Sequence, residues 1–149
     1  MILCDSCALL PLSESVRRFD PQDFHLDDEA AARGPFGRLS ASGWHTAAAF
    51  MQRYVAFLDR IRSAAVARGE TLPPAGPSPG FEDMEWLRPV FAGDTVAYAI
   101  TLNGKREMAS RSEWGLVTAG VEGWNQERVR VFRFTAKLLI ARRPVPRRQ

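Results

Sequence analysis

From Trp44 to Arg68 the chain runs without a single proline or glycine. Ser42 before it is a good N-cap, and Gly69 after it is a stop. Gly43 to Arg68 therefore predicts one helix of roughly 26 residues, or about 39 Å. Trp44, Ala47, Ala48, Met51, Val55, Leu58, Ile61 and Ala65 recur at helical spacing. Phe50, Tyr54, Phe57 and Ala64 widen that stripe, and Gln52, Arg53, Asp59, Arg60 and Ser63 take the remaining face. An apolar arc so broad predicts a helix covered on most sides, as a curved sheet would cover it.

The chain after this helix is strand-like. Residues 70–80 carry four prolines (Pro73, Pro74, Pro77, Pro79) with Gly76 and Gly80, and predict a loop. Phe81–Leu87 is a first strand, and Arg88–Asp94 is a turn region. Val96, Tyr98, Ile100 and Leu102 then alternate with smaller residues. Asn103-Gly104 predicts a hairpin turn. Trp114–Glu122 is a third strand, Trp124–Glu127 a turn, and Phe132, Phe134, Ala136, Leu138 and Ile140 one face of a last strand. Ahead of the helix, Ile2–Leu10 is the candidate for one further short strand. Ser13 is placed to cap a brief helix ending before Pro21, and Asp27, Asp28 and Glu29 open another. Helix and strands do not alternate. The expectation is an α+β fold with an antiparallel sheet around one long helix, the hot-dog arrangement, over a single domain of residues 1–149.

Composition excludes several functions. The 149 residues carry a net charge of +3, much of it at Arg142, Arg143, Arg147 and Arg148. Residues 142–149 read as a basic tail, and no basic stripe interleaved with aromatics points to nucleic acid. No window is apolar enough for a membrane span, and the start has no positive n-region of a secretion signal. Cys4 and Cys7 form a single CxxC without a second pair, so they read as plain thiols rather than a zinc site. A cytoplasmic location without a metal centre follows as an expectation.

His25 and His45 are the two histidines, so a general base is one of them or a carboxylate. In Asp20-Pro21-Gln22-Asp23-Phe24-His25, Pro21 breaks regular structure, which lets Asp20 and His25 converge on one water. An exposed loop in which Asp20 caps and His25 packs is the more ordinary reading. Ser42-Gly43 opens the long helix, whose first N–H groups suit a developing negative charge. The alternative is a plain cap with a glycine needed for close packing. His45, in the first turn, is either a neutral donor near the site or a buried histidine with a backbone partner. Phe50, Met51, Tyr54 and the tryptophans line an acyl pocket or simply fill the core.

Several motifs in order carry a resemblance: Phe19-Asp20-Pro21-Gln22-Asp23-Phe24-His25-Leu26-Asp27, Phe36-Gly37, Ala41-Ser42-Gly43-Trp44-His45-Thr46, Arg88–Thr95, and Asn125-Gln126 before a long apolar strand. Together, over about residues 16–143, they resemble the MaoC-like dehydratases and (R)-specific enoyl-CoA hydratases of the hot-dog fold. The resemblance implies a homodimer or an assembly of dimers. It implies a coenzyme A thioester as ligand, with reversible hydration of a 2-enoyl-CoA to a 3-hydroxyacyl-CoA and no separate cofactor. Asp20 and His25 match the family's water-activating pair, and Gly43 the glycine whose N–H meets the thioester carbonyl. The better-known hydratases carry Asn and Pro two and three positions after the Asp, where this chain has Gln22 and Asp23. Gln22 replaces the amide on a longer arm, and Asp23 adds a charge beside the pair. Two other functions compete: a hot-dog thioesterase and a non-catalytic acyl-CoA binding subunit.

Overall fold

The proline-free run folds as one helix laid against one sheet. The computed structural model describes residues 2–8 and 14–142. In chain order it has β1 (Ile2–Ala8), α1 (Glu14–Phe19), α2 (Asp23–Leu26), α3 (Asp28–Arg33), α4 (Gly43–Ala67), β2 (Gly80–Trp86), β3 (Thr95–Glu107), β4 (Trp114–Trp124) and β5 (Arg130–Ala141). The five strands pair antiparallel in the order β1-β3-β4-β5-β2. This is the hot-dog arrangement, and the short N-terminal strand is present. Ser13 and residues 143–149 lie outside the described residues, as do the side chains of Cys4 and Cys7. Arg142 is described. Its guanidinium bonds the Ser112 carbonyl and the Glu107 carboxylate, which fastens the start of the expected tail to the β3–β4 end.

Alternation puts Val96, Tyr98 and Ile100 of β3 on the same buried face as Ala119 and Val121 of β4 and Phe132 and Phe134 of β5. Ala49 and Phe50 of α4 pack on them. Phe50 meets Phe134 and Tyr98 edge-on, with centroids 5.2 and 5.6 Å apart. The Tyr98 hydroxyl donates to the Thr46 carbonyl at 2.8 Å, so this buried phenol is satisfied on the helix it supports. Register shifts in β1, β2, β3 and β4–β5 bend the sheet around the helix.

Two expectations are corrected. The buried line on α4 runs through Thr46, Ala49, Phe50 and Ala65. Trp44, Met51 and Val55 lie on the other side, 62, 49 and 49% exposed. The apolar arc is wider than one sheet can cover, so periodicity located the arc but not its buried half. Asn103-Gly104 is not a turn. Both residues lie inside β3, beside a register shift, and the chain reverses over residues 108–113. β3 is thirteen residues long and still pairs from Gly104 to Glu107, beyond the point where its apolar alternation stops, because a solvated antiparallel ladder needs no apolar face. Residues 70–79 are a loop, as expected, and within it residues 74–76 run as a strap beside β5: Ala75 bridges Ile140, and Gly76 donates to the Leu139 carbonyl at 2.8 Å. A Cβ at Gly76 would stand 2.9 Å from the Trp114 ring and 3.1 Å from Leu139. The strap and Trp114 therefore bury Leu139 on the opposite side of β5.

A carboxylate network fastens the 88–94 turn. Asp94, buried, accepts the Phe91 N–H at 2.9 Å and the Gln126 amide at 2.8 Å, while Gln126 accepts the Thr95 N–H at 3.0 Å. The turn in turn holds the segment before α4. Ala41 donates to Val90 at 2.7 Å and Ala92 to Leu39 at 3.2 Å.

Candidate active site

Pro21 stops α1 and leaves Asp20 at its C-terminal end, where the Asp20 N–H still bonds the Val16 carbonyl. The chain then turns into α2, a single helical turn, so His25 sits on a helix rather than in an open loop. Its ring is buried, with 7% of the residue exposed. Nδ1 lies 2.8 Å from the Ser40 carbonyl oxygen. A carbonyl only accepts, so Nδ1 carries the hydrogen and a neutral His25 keeps its lone pair on Nε2. Nε2 lies 3.5 Å from Asp20 Oδ2, too far for a good direct hydrogen bond but suitable for two groups sharing one water.

Asp20 has two further ties. Gln22 donates its amide N–H to Oδ1 at 2.7 Å. The Ser42 hydroxyl donates to Oδ2 at 2.5 Å. Burial pushes the Asp20 carboxyl upward, but the Ser42 and Gln22 hydrogen bonds and the charge of His25 outweigh it and hold it below its ordinary value. Gln22 therefore meets the Asp20 carboxylate through its amide. Asp23 is exposed in the first turn of α2.

Ser42 joins the carboxylate to the start of α4, because the same oxygen accepts the Trp44 N–H at 3.2 Å. The Gly43 N–H, one residue earlier, has no acceptor among the described residues and is a free helix-end donor. Trp86, at the end of β2, explains why a glycine stands there. A Cβ on residue 43 would fall 2.7 Å from its indole ring. The Trp86 indole N–H also donates to the Gly43 carbonyl at 2.8 Å.

Asp20, Gln22, His25 and Gly43 open on one cavity of about 470 Å3, walled by Phe24, Phe36, Ser40, Ala41, Trp44, Thr46, Trp86 and the 87–90 turn. Its lining is mostly apolar, with Asp20, Gln22, His25, Ser40, Thr46 and Arg88 as its polar side chains. Phe50, Met51 and Tyr54 do not line it. They face a separate apolar cavity of about 120 Å3, one helical turn further along α4, with Phe81 and Leu138. His45 is partly buried, lines neither cavity and makes no ring hydrogen bond to a described residue. Burial lowers its tendency to protonate.

No family model matches the chain. It is 27% identical over 124 residues to the uncharacterized protein YdeM of Bacillus subtilis, covering 83% of this chain and 79% of that one. Among solved structures it is similar to the MaoC-like dehydratase from Rhodospirillum rubrum. The two share 31% identity with a TM-score of 0.76, over 96% of this chain and 91% of the other. The chain belongs to the MaoC-like dehydratase family. A monoamine oxidase regulatory protein from Archaeoglobus, 23% identical with a TM-score of 0.73 over 96% and 89% of the two chains, has the same fold.

In this MaoC-like chain, then, the structure brings Asp20, His25, Gln22, Ser42 and Gly43 together and leaves His45 aside. Sequence reasoning missed the Ser40 carbonyl, which no side-chain pattern announces, and the particular place of Trp86. The only sequence signal for Trp86 was an aromatic at a strand end, which usually means core.

Proposed function

We propose that the chain reversibly hydrates a 2-enoyl-CoA to a 3-hydroxyacyl-CoA. The observation that carries this reading is the meeting of a carboxylate, a histidine with its lone pair on Nε2, and a free helix-end N–H around one largely apolar cavity. A water between Asp20 Oδ2 and His25 Nε2 loses a proton to the histidine as its oxygen bonds to the β-carbon. The alkene electron pair moves toward the α-carbon and the thioester oxygen, where the Gly43 N–H meets the growing negative charge. The α-carbon then takes that proton from His25, which returns to its neutral form, so the net change is addition of one water across the double bond. Asp20, kept ionised, stabilises His25 while it is charged. The reaction asks for proton transfer and carbonyl polarisation, so it needs no cofactor besides the coenzyme carried by the substrate.

The same reading includes a homodimer, or an assembly of dimers, and a cytoplasmic setting. Support for the dimer comes from Trp44, Met51 and Val55 on the open side of α4, together with Phe81 and Trp86 on β2, an edge strand. No described helix is long and apolar enough to cross a membrane.

The test follows enoyl thioester absorbance and free thiol release in the same wells, over short and medium trans-2-enoyl-CoA substrates. Absorbance loss without thiol is expected, and Asp20→Asn and His25→Ala should each lower kcat by about 10²–10⁴-fold with the fold intact. Near-full activity in Asp20→Asn would sink the mechanism. Thiol release would move the reading to a thioesterase. Binding without turnover of any substrate would make it an acyl-CoA binding subunit.

A further inference from the structure

We propose that Trp86 is a positioning residue for the thioester carbonyl, acting through the Gly43–Trp44 peptide at the start of α4. The inference rests on the hydratase reading above and deepens its carbonyl-binding side. A glycine is the least restrained residue in the chain, and a donor that wanders stabilises a developing oxyanion poorly. Here the peptide after that glycine is held at both ends. Its carbonyl accepts the Trp86 indole N–H at 2.8 Å, and its N–H is taken by Ser42 Oγ at 3.2 Å. The indole also lies against the Gly43 Cα, where an added Cβ would be 2.7 Å from the ring. With motion blocked on that side, the remaining donor, the Gly43 N–H, keeps one direction.

The clamp is anchored in the sheet rather than in the helix. Trp86 pairs with Phe132 of β5, and the next residue, Leu87, donates to the Val131 carbonyl at 2.8 Å. Its ring tilts over the fully buried Phe132 at 6.2 Å and meets Trp44 edge-on at 5.3 Å. A core role alone does not account for the residue, because Trp86 remains 43% exposed and lines the cavity. Its polar atom is spent on the peptide beside the oxyanion donor.

Trp86→Phe keeps a ring and removes the N–H. The probe is the coenzyme A thioester of an arylacrylic acid, whose absorbance moves to longer wavelength when its carbonyl is polarised. Wild-type protein should hydrate enoyl-CoA and shift the bound chromophore. The variant should keep its melting temperature and a KM within about twofold, lose about tenfold in kcat, and show a smaller shift at saturation. Wild-type kcat and an undiminished shift in Trp86→Phe would overturn the inference. So would a fall in kcat that came with a lower melting temperature and an unchanged shift, which is what a structural role produces. If the wild type neither hydrates nor shifts the chromophore, the hydratase reading itself fails, and that outcome is distinct from both.

Discussion

Ser42 ties together three things that are separate in the sequence: a helix cap, a carboxylate and a helix-end donor. It is almost fully buried, donates to Asp20 and accepts from Trp44. Ser42→Ala should cost about 2–4 kcal/mol, the sum of a lost cap and a lost bond to a charged group. It should also change the pH dependence in a fixed direction. The Ser42 bond is one of the causes that hold the Asp20 carboxyl low. Asp20 therefore contributes stability above its unfolded value, and that contribution is lost as pH falls through the lower folded value. Without the serine hydroxyl the folded value rises. The acid limb of kcat/KM should then move to higher pH, and acid unfolding should begin earlier. An unmoved acid limb in a pH–rate profile would show that Asp20 does not titrate in the productive form. Asp20, His25 and Gly43 were legible as candidates because their spacing resembles a family pattern. The Ser40 carbonyl was not, because a backbone acceptor carries no residue signature.

At the scale of elements, α4 was legible from its caps and from the lack of breakers, but its orientation was not. A helix apolar over so wide an arc has several ways to face a sheet, and Thr46, Ala49 and Phe50 face it here. Phe50→Ala should cost about 3–5 kcal/mol in chemical denaturation, because the ring touches Tyr54, Tyr98 and Phe134. The β3–β4 connection makes the complementary point. Asn-Gly is a strong local turn signal, yet Gly104 pairs with Thr118 inside the ladder and has no positive φ. Gly104→Thr should therefore be neutral or stabilising within about 0.5 kcal/mol. A loss well beyond that in thermal unfolding would place the glycine in a turn after all.

For the whole molecule, the exposed apolar side of α4 and the β2 edge lie next to the cavity, since Trp44 and Trp86 belong to both. Light scattering should report a dimer or a multiple of it, and Val55→Glu, on that face and outside the cavity lining, should lower the mass toward one chain. A monomeric wild type at micromolar concentration would remove the dimer from the proposal. The sequence alone determined the α+β class, the long helix, the place of most strands and the residues able to do acid–base chemistry. Those follow from short-range rules of periodicity, caps and breakers. Only the tertiary structure decided which half of α4 is buried, where β3 turns, and that Trp86 lies on Gly43 from 43 positions away. Such contacts depend on how the sheet bends and which register its strands take, and no local pattern encodes either.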